Sequence, residues 1–175
     1  MKNPLILLVR VFSECFRHSR VPHRITPFSE IKKVTVFVDG NTSGVQECVD
    51  SVNDFFLKHK KDYTIFVIND LKDKNITPIK GATMLLRKDI RCSGIPKHSK
   101  KHPCVDGSED LCINLLGKDN YTAYYCMLCS KAKFKVGIYQ KGKKDGLVDL
   151  LVTHTDGFSQ KDIFLQISSI ISSII

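Results

Sequence analysis

No apolar run in this chain approaches the ~18 residues of a membrane-spanning helix, so a helical membrane protein is excluded. The longest apolar run near the start, Leu5 to Val9, is broken by Arg10. Five apolar residues are too few for the core of a secretory leader, and no small-residue cleavage site follows. There is no G-x-G-x-x-G and no Walker lysine with its Ser or Thr, so the two common phosphate-cradling motifs are missing. Tryptophan is absent, and neither an internal repeat nor a low-complexity stretch is present, which argues against a solenoid or a disordered tail. The acids are scarce: 18 Asp and Glu stand against 27 Lys and Arg. The resulting charge of +9 favours an acidic partner or a polyanion over a cationic one.

What remains has globular proportions. The 175 residues match one ordinary domain, able to bury about 70% of its unfolded surface in one core. Seven cysteines, an odd number, suit reduced thiols in a cytoplasm better than a secreted disulfide scaffold. Residues 1–30 read as an N-terminal helix and connector, and 31–175 as a single domain. In the helix, Leu5, Leu8, Phe12, Cys15 and Phe16 recur at helical spacing. This stripe is expected to pack on its own domain. The alternative, a peripheral membrane contact by residues 5–17, is less favoured.

The domain proper opens with Val34 to Val38, a β-branched and aromatic run that predicts a buried strand. Ser43-x-x-Gln46 has the form of a capping box, and Val45, Cys48, Val49, Val52, Phe55 and Phe56 give the helix one buried stripe. Tyr63 to Ile68 is the next strand, completing a βαβ unit. Further strands are predicted at Ala82 to Leu86, Leu111 to Leu116, Phe134 to Ile138 and Leu147 to Val152. A helix capped by Asn120 or Thr122 runs to about Lys131, and a last helix begins near Ser159. Arg87 to Glu109 reads as a long irregular segment. The fold class is α/β: a mixed or mostly parallel sheet flanked by helices, in a Rossmann-like or flavodoxin-like three-layer arrangement.

Several stretches carry a resemblance. Asp110-Leu111 opens a strand, Ser130-Lys131-Ala132-Lys133-Phe134-Lys135-Val136-Gly137 leads into another, and Asp149-Leu150-Leu151-Val152 opens a third. With the Ser93-Gly94-Ile95-Pro96-Lys97 turn and the closing amphipathic helix, residues 31–175 resemble a bacterial family of unknown function. The resemblance implies a small cytoplasmic α/β domain. It assigns no activity and no site residue.

Three regions offer chemistry. Asp39, Asn41, Thr42 and Ser43 follow the first strand and open a helix, where backbone N–H groups and hydroxyls suit a phosphorylated small molecule. Asn41 stands where a magnesium-dependent phosphotransferase would need a second carboxylate. Cys92, Cys104, Cys126 and Cys129 are candidate zinc ligands, although Cys92 and Cys104 are too widely spaced for an ordinary zinc module. Arg91, Lys97, Lys100 and Lys101, with Lys131, Lys133 and Lys135, could form one polyanion-binding footprint, with Tyr121, Tyr124, Tyr125 and Tyr139 nearby to stack on bases. Asp39, Asp70, His154 and Asp156 fall at expected strand ends, but a triad chosen from such a list carries no weight. The favoured reading is a non-catalytic binding domain with a basic surface. The alternatives are an enzyme or sensor for a phosphorylated ligand, and a zinc-stabilised module. No cofactor is implied.

Overall fold

A computed structural model describes residues 4–17, 19, 21–71, 77–97, 103, 108–117, 120–139, 147–153 and 157–174. In chain order these form α1 (Pro4–Arg17), β1 (Lys33–Asp39), α2 (Val45–Lys58), β2 (Asp62–Asn69), β3 (Thr83–Leu86), β4 (Leu111–Asn114), α3 (Tyr121–Cys129), β5 (Phe134–Tyr139), β6 (Leu150–Thr153) and α4 (Gln160–Ser172). The six strands make one sheet in the order β3-β2-β1-β4-β5-β6. Every pairing is parallel, so the sheet is fully rather than mostly parallel. The order is that of the Rossmann fold, not the flavodoxin order.

The buried runs explain the layers. Val34, Val36 and Val38 point to one face, where Val45, Val49, Val52 and Phe56 of α2 meet Ile163, Phe164 and Ile167 of α4. Phe37, Phe66, Ile68 and Cys112 point to the other, under Ala123, Cys126 and Met127 of α3. Right-handed crossovers account for this split. From β1 the chain crosses one way to β2, and from β4 it crosses the opposite way to β5. The same hand in opposite directions puts α2 and α3 on opposite faces. The sheet therefore reverses between β1 and β4.

The family-bearing Asp-Leu pairs have a structural explanation at the sheet's amino-terminal edge. Asp110 accepts hydrogen bonds from the Lys32 and Lys33 amides at 2.9 and 3.0 Å. Asp149 accepts from the Lys135 amide at 2.7 Å and from His23 at 3.1 Å. Each carboxylate thus satisfies an N–H at the start of a neighbouring strand that the ladder leaves open. The connector is tied down here too: Ser19 N donates to Leu128 O and Arg24 N to Lys133 O.

The expectation for α1 is overturned. Its apolar stripe faces away from the domain, leaving Leu8 and Phe12 55% and 61% exposed. The helix is held instead by its polar side. Arg10 Nε donates to Ser93 O at 2.7 Å, and Glu14 accepts from the Tyr121 hydroxyl at 2.9 Å. The charged pair finds partners on α3 and on the segment between β3 and β4, and among the described residues the stripe finds no matching apolar surface.

Phe164 ties α4 to the rest, with its ring 5.8 Å from Phe55 and 6.0 Å from Phe56. Phe164→Ala should lower the unfolding free energy in urea by about 3–5 kcal/mol. Leu165→Ala, at a half-exposed neighbouring position, should cost less than about 1 kcal/mol. Equal effects would contradict this placement of α4.

Candidate functional site at the carboxyl-terminal edge

At the end of β1 the backbone of Asp39 faces the gap beside β4. Leu115 N still bonds Phe37 O at 2.9 Å, but no strand residue follows to meet Asp39. Gln160, the first residue of α4, fills the place. Its Oε1 accepts from Asp39 N at 2.8 Å and its Nε2 donates to Asp39 O at 2.9 Å. The same amide donates to the Thr42 hydroxyl. Gln160 acts as one residue of an added strand, and it occupies the crevice at the topological reversal.

The loop is otherwise self-braced. Asp39 Oδ1 accepts from Asn41 N at 2.9 Å, and Asn41 Nδ2 donates to Asp70 Oδ1 at 3.0 Å. Partial burial, and then the charge of Asp70, raise the Asp39 carboxyl above its ordinary range. The capping box at Ser43 does not form. Gly44, at φ 74°, takes the N-cap position of α2, and Ser43 lies outside it, exposed. Gln46 turns elsewhere: its Oε1 accepts from Lys80 N at 3.0 Å and its Nε2 donates to Asp50 at 2.8 Å. Gly44 brings no side chain to cap the first amides of α2. Gly40, Asn41, Thr42, Gln46 and Asn69 line a cavity of about 440 Å³ above them, with Leu71, Ile79 and Met84 as its apolar wall.

A second cavity, of about 210 Å³, lies on the other side of the Asn69–Leu71 strand end. Arg10, Arg87, Arg91, Asp70, Tyr121 and Thr122 line it. Its wall is the turn at Ser93 to Lys97. Arg91 N donates to Ile95 O and Gly94 N to Arg91 O, both at 2.9 Å, and Ile90 bridges Pro96. Gly94 sits at φ +87°, where a Cβ would also come within 2.8 Å of the Tyr121 ring. Thr122 Oγ1 donates to Gly94 O at 2.8 Å and fixes the turn against the start of α3.

The arginines are positioned differently. The Arg10 guanidinium lies 3.9 Å over the Tyr121 ring. Arg87 Nη1 donates to Ile90 O at 3.1 Å. Arg91 has no side-chain partner among the described residues. The ion pairs among those residues are His23–Asp149 and Arg24–Glu30, so none of the three guanidiniums is paired with a carboxylate.

The remaining sequence candidates do not converge. Lys131 and Lys133 follow the end of α3, while Arg91 and Lys97 lie by its start, about 12 Å of helix away. The single basic footprint is therefore split between opposite edges of the sheet. Lys135 is removed from it altogether: it is fully buried and its Nζ donates to Met127 O at 2.8 Å. Burial lowers its pKa. Lys135 is core because β5 is covered on both faces, so that consecutive positions from Phe134 to Gly137 are all buried. Of the stacking tyrosines, Tyr125 is buried and the face of Tyr121 is taken by Arg10.

The cysteine set is separated in the same way. Cys92 borders the arginine cavity by the start of α3, and Cys126 is buried near its end, with Cys129 in its last turn. Among the described residues no group of three His, Cys, Asp or Glu is placed to hold a metal. Lys100, Lys101, Cys104, Tyr139's side chain, His154 and Asp156 lie outside the described residues. Nothing in the sequence marks Arg10, Gln160 or Thr122 as site residues, and Asp70 reads only as one of several strand-end carboxylates. Arg10 lies 83 residues from Ser93, and no local pattern signals that contact.

With this geometry in place, the comparisons add a family. The chain matches the Family of unknown function (DUF6913) over residues 15–166. It belongs to DUF6913. The match begins inside α1 and ends inside α4; it takes in the lining of the larger cavity and all of the smaller one's lining except Arg10. No curated protein and no solved structure matches the chain.

Because Asp39's folded pKa is raised, its protonated form is favoured on folding. Its ionisation therefore costs stability as pH rises through the carboxylate range, and that cost is absent in acid. Asp39→Asn keeps the oxygen that Asn41 N needs. It should raise the thermal midpoint at about pH 7, with the gain vanishing by about pH 3. A lower midpoint for the variant at neutral pH would contradict the assignment.

Proposed function

We propose that this DUF6913 chain is a binding domain for a small phosphorylated ligand, with the phosphate seated among Arg10, Arg87 and Arg91. One observation carries the reading: three guanidiniums border one cavity of about 210 Å³ without a carboxylate paired to any of them among the described residues. Like charges gathered round one cavity repel, and an anion between them offsets that repulsion. Guanidinium forks match phosphate oxygens in bidentate geometry. The start of α3 adds a favourable dipole at the same wall.

The volume suits a phosphate or diphosphate group. The 440 Å³ cavity across the Asn69–Leu71 segment suits the uncharged remainder of the ligand. There Asn41, Gln46 and Asn69 offer amides, and Ile79, Leu71 and Met84 offer apolar contact. Location at the carboxyl ends of the strands agrees with where open α/β sheets bind ligands. An extended polyanion suits the surface less, since Lys131 and Lys133 lie at the other edge and Lys135 is core. Six described cysteines outside any disulfide support a reducing cytoplasm as the setting.

Titration calorimetry with inorganic pyrophosphate tests the reading. Saturable one-to-one binding is expected, with Arg87→Gln and Arg91→Gln each weakening it about tenfold or more. Lys133→Gln, at the opposite edge, should leave affinity unchanged. Uniform weakening by all three variants would instead mark a diffuse charge effect and overturn the proposal.

A further inference from the structure

The outward face of α1 poses a separate question. Leu7, Leu8, Val11, Phe12 and Phe16 are 57%, 55%, 50%, 61% and 81% exposed on one helix. Phe12 and Phe16 stack with their centroids 6.4 Å apart, making one continuous apolar ridge. Single exposed apolar residues are ordinary, but a ridge of this kind on a helix about 21 Å long marks an interaction surface. The inward face carries the polar groups. Arg10 and Glu14 are held by Ser93 O and the Tyr121 hydroxyl, so neither charge interrupts the ridge.

Charge distinguishes among occupants. Residues 1–30 contain Lys2, Arg10, Arg17, Arg20 and Arg24 against the acids Glu14 and Glu30, the latter paired with Arg24. The whole chain carries +9. A second copy would bring a second +9 to the contact and be repelled. An anionic lipid surface attracts the same basic flanks while its acyl region takes the apolar ridge. At 14 residues α1 is too short to cross a bilayer, and no described helix is long and apolar enough to do so. We infer that α1 lies in the plane of an anionic bilayer, ridge inward, and docks the domain on that surface.

Flotation of the full chain with vesicles tests this directly. Vesicles of phosphatidylcholine alone are compared with vesicles containing about a third phosphatidylglycerol, at about 0.05 M and 0.3 M salt. Binding is expected to be at least about tenfold stronger on the acidic vesicles, and weaker at the higher salt. Leu8→Asp and the double variant Leu8→Asp, Phe12→Asp should lose that binding while keeping the wild-type melting midpoint, because both side chains are exposed. Equal binding to both vesicle types, or wild-type binding by the double variant, would overturn the inference. So would a chain that ignores vesicles but sediments as a dimer that Leu8→Asp dissolves, since the ridge would then belong to a second copy.

Discussion

Hydrogen bonding by β1 on both of its edges governs the rest of the molecule. Paired with β2 on one side and β4 on the other, β1 forms with β4 the central pair from which the crossovers to β2 and to β5 leave in opposite directions. Parallel pairing and a single handedness then send α2 and α3 to opposite faces. Beyond Phe37 the ladder to β4 runs out, and the Asp39 backbone would be left unbonded in a half-buried gap. A backbone amide left so costs about as much as a lost hydrogen bond. Gln160 removes that cost, and it can do so only because Phe164 fixes α4 against α2 four residues later. Core packing on one face thereby shapes the loop that begins α2. The same brace occupies the crevice where a Rossmann fold ordinarily seats its ligand, and leaves open cavities to either side of the β2 end.

The two edges of the sheet use charge in opposite ways. At the amino-terminal edge Asp110 and Asp149 are consumed by backbone amides, and buried Ser130 donates to buried Glu109 at 2.6 Å. Lys135 is likewise committed, to the last turn of α3. These groups are structural. Cys112 beside them is a core thiol pushed up to about 12, chiefly by burial. At the carboxyl-terminal edge the arrangement is reversed. Asp70 is held by Asn41, Glu14 by Tyr121, and the arginines keep their charge without an ion-pair partner. Tyr121 carries the organisation there. Its ring positions Arg10, its hydroxyl anchors α1, and its contact with Gly94 sets the turn that presents Arg91.

Much of this fold is legible in the sequence, because the strands are fully buried runs and the helices have single stripes. Ser159 caps α4 where the Ser-x-x-Asp spacing puts it, and Asn120 caps α3. The boundaries that shift are those decided by tertiary contact. Leu147 reads as strand, yet β6 starts at Leu150, after Asp149 has turned to serve Lys135 N. Gly44 rather than Ser43 caps α2 because Gln46 is drawn to Lys80. The α1 stripe departs from its expected packing because periodicity identifies an apolar face but not what covers it. The candidate site was legible only in part. Asp39 to Thr42 announce themselves as a strand-end loop, and Arg91 as part of a basic segment. Arg10 reads locally as the residue that breaks an apolar run, and its place in the cavity depends on a contact across most of the chain.

The central claim is that the unneutralised arginines at the carboxyl-terminal edge form an anion seat. Amide chemical-shift mapping of isotopically labelled protein during a pyrophosphate titration addresses it without any mutation. The account predicts saturating shifts confined to Arg10, Asp70, Arg87, Arg91 to Gly94 and Tyr121 to Ala123. Shifts centred on Lys131 and Lys133 at the opposite edge, or spread evenly over exposed lysines, would contradict it.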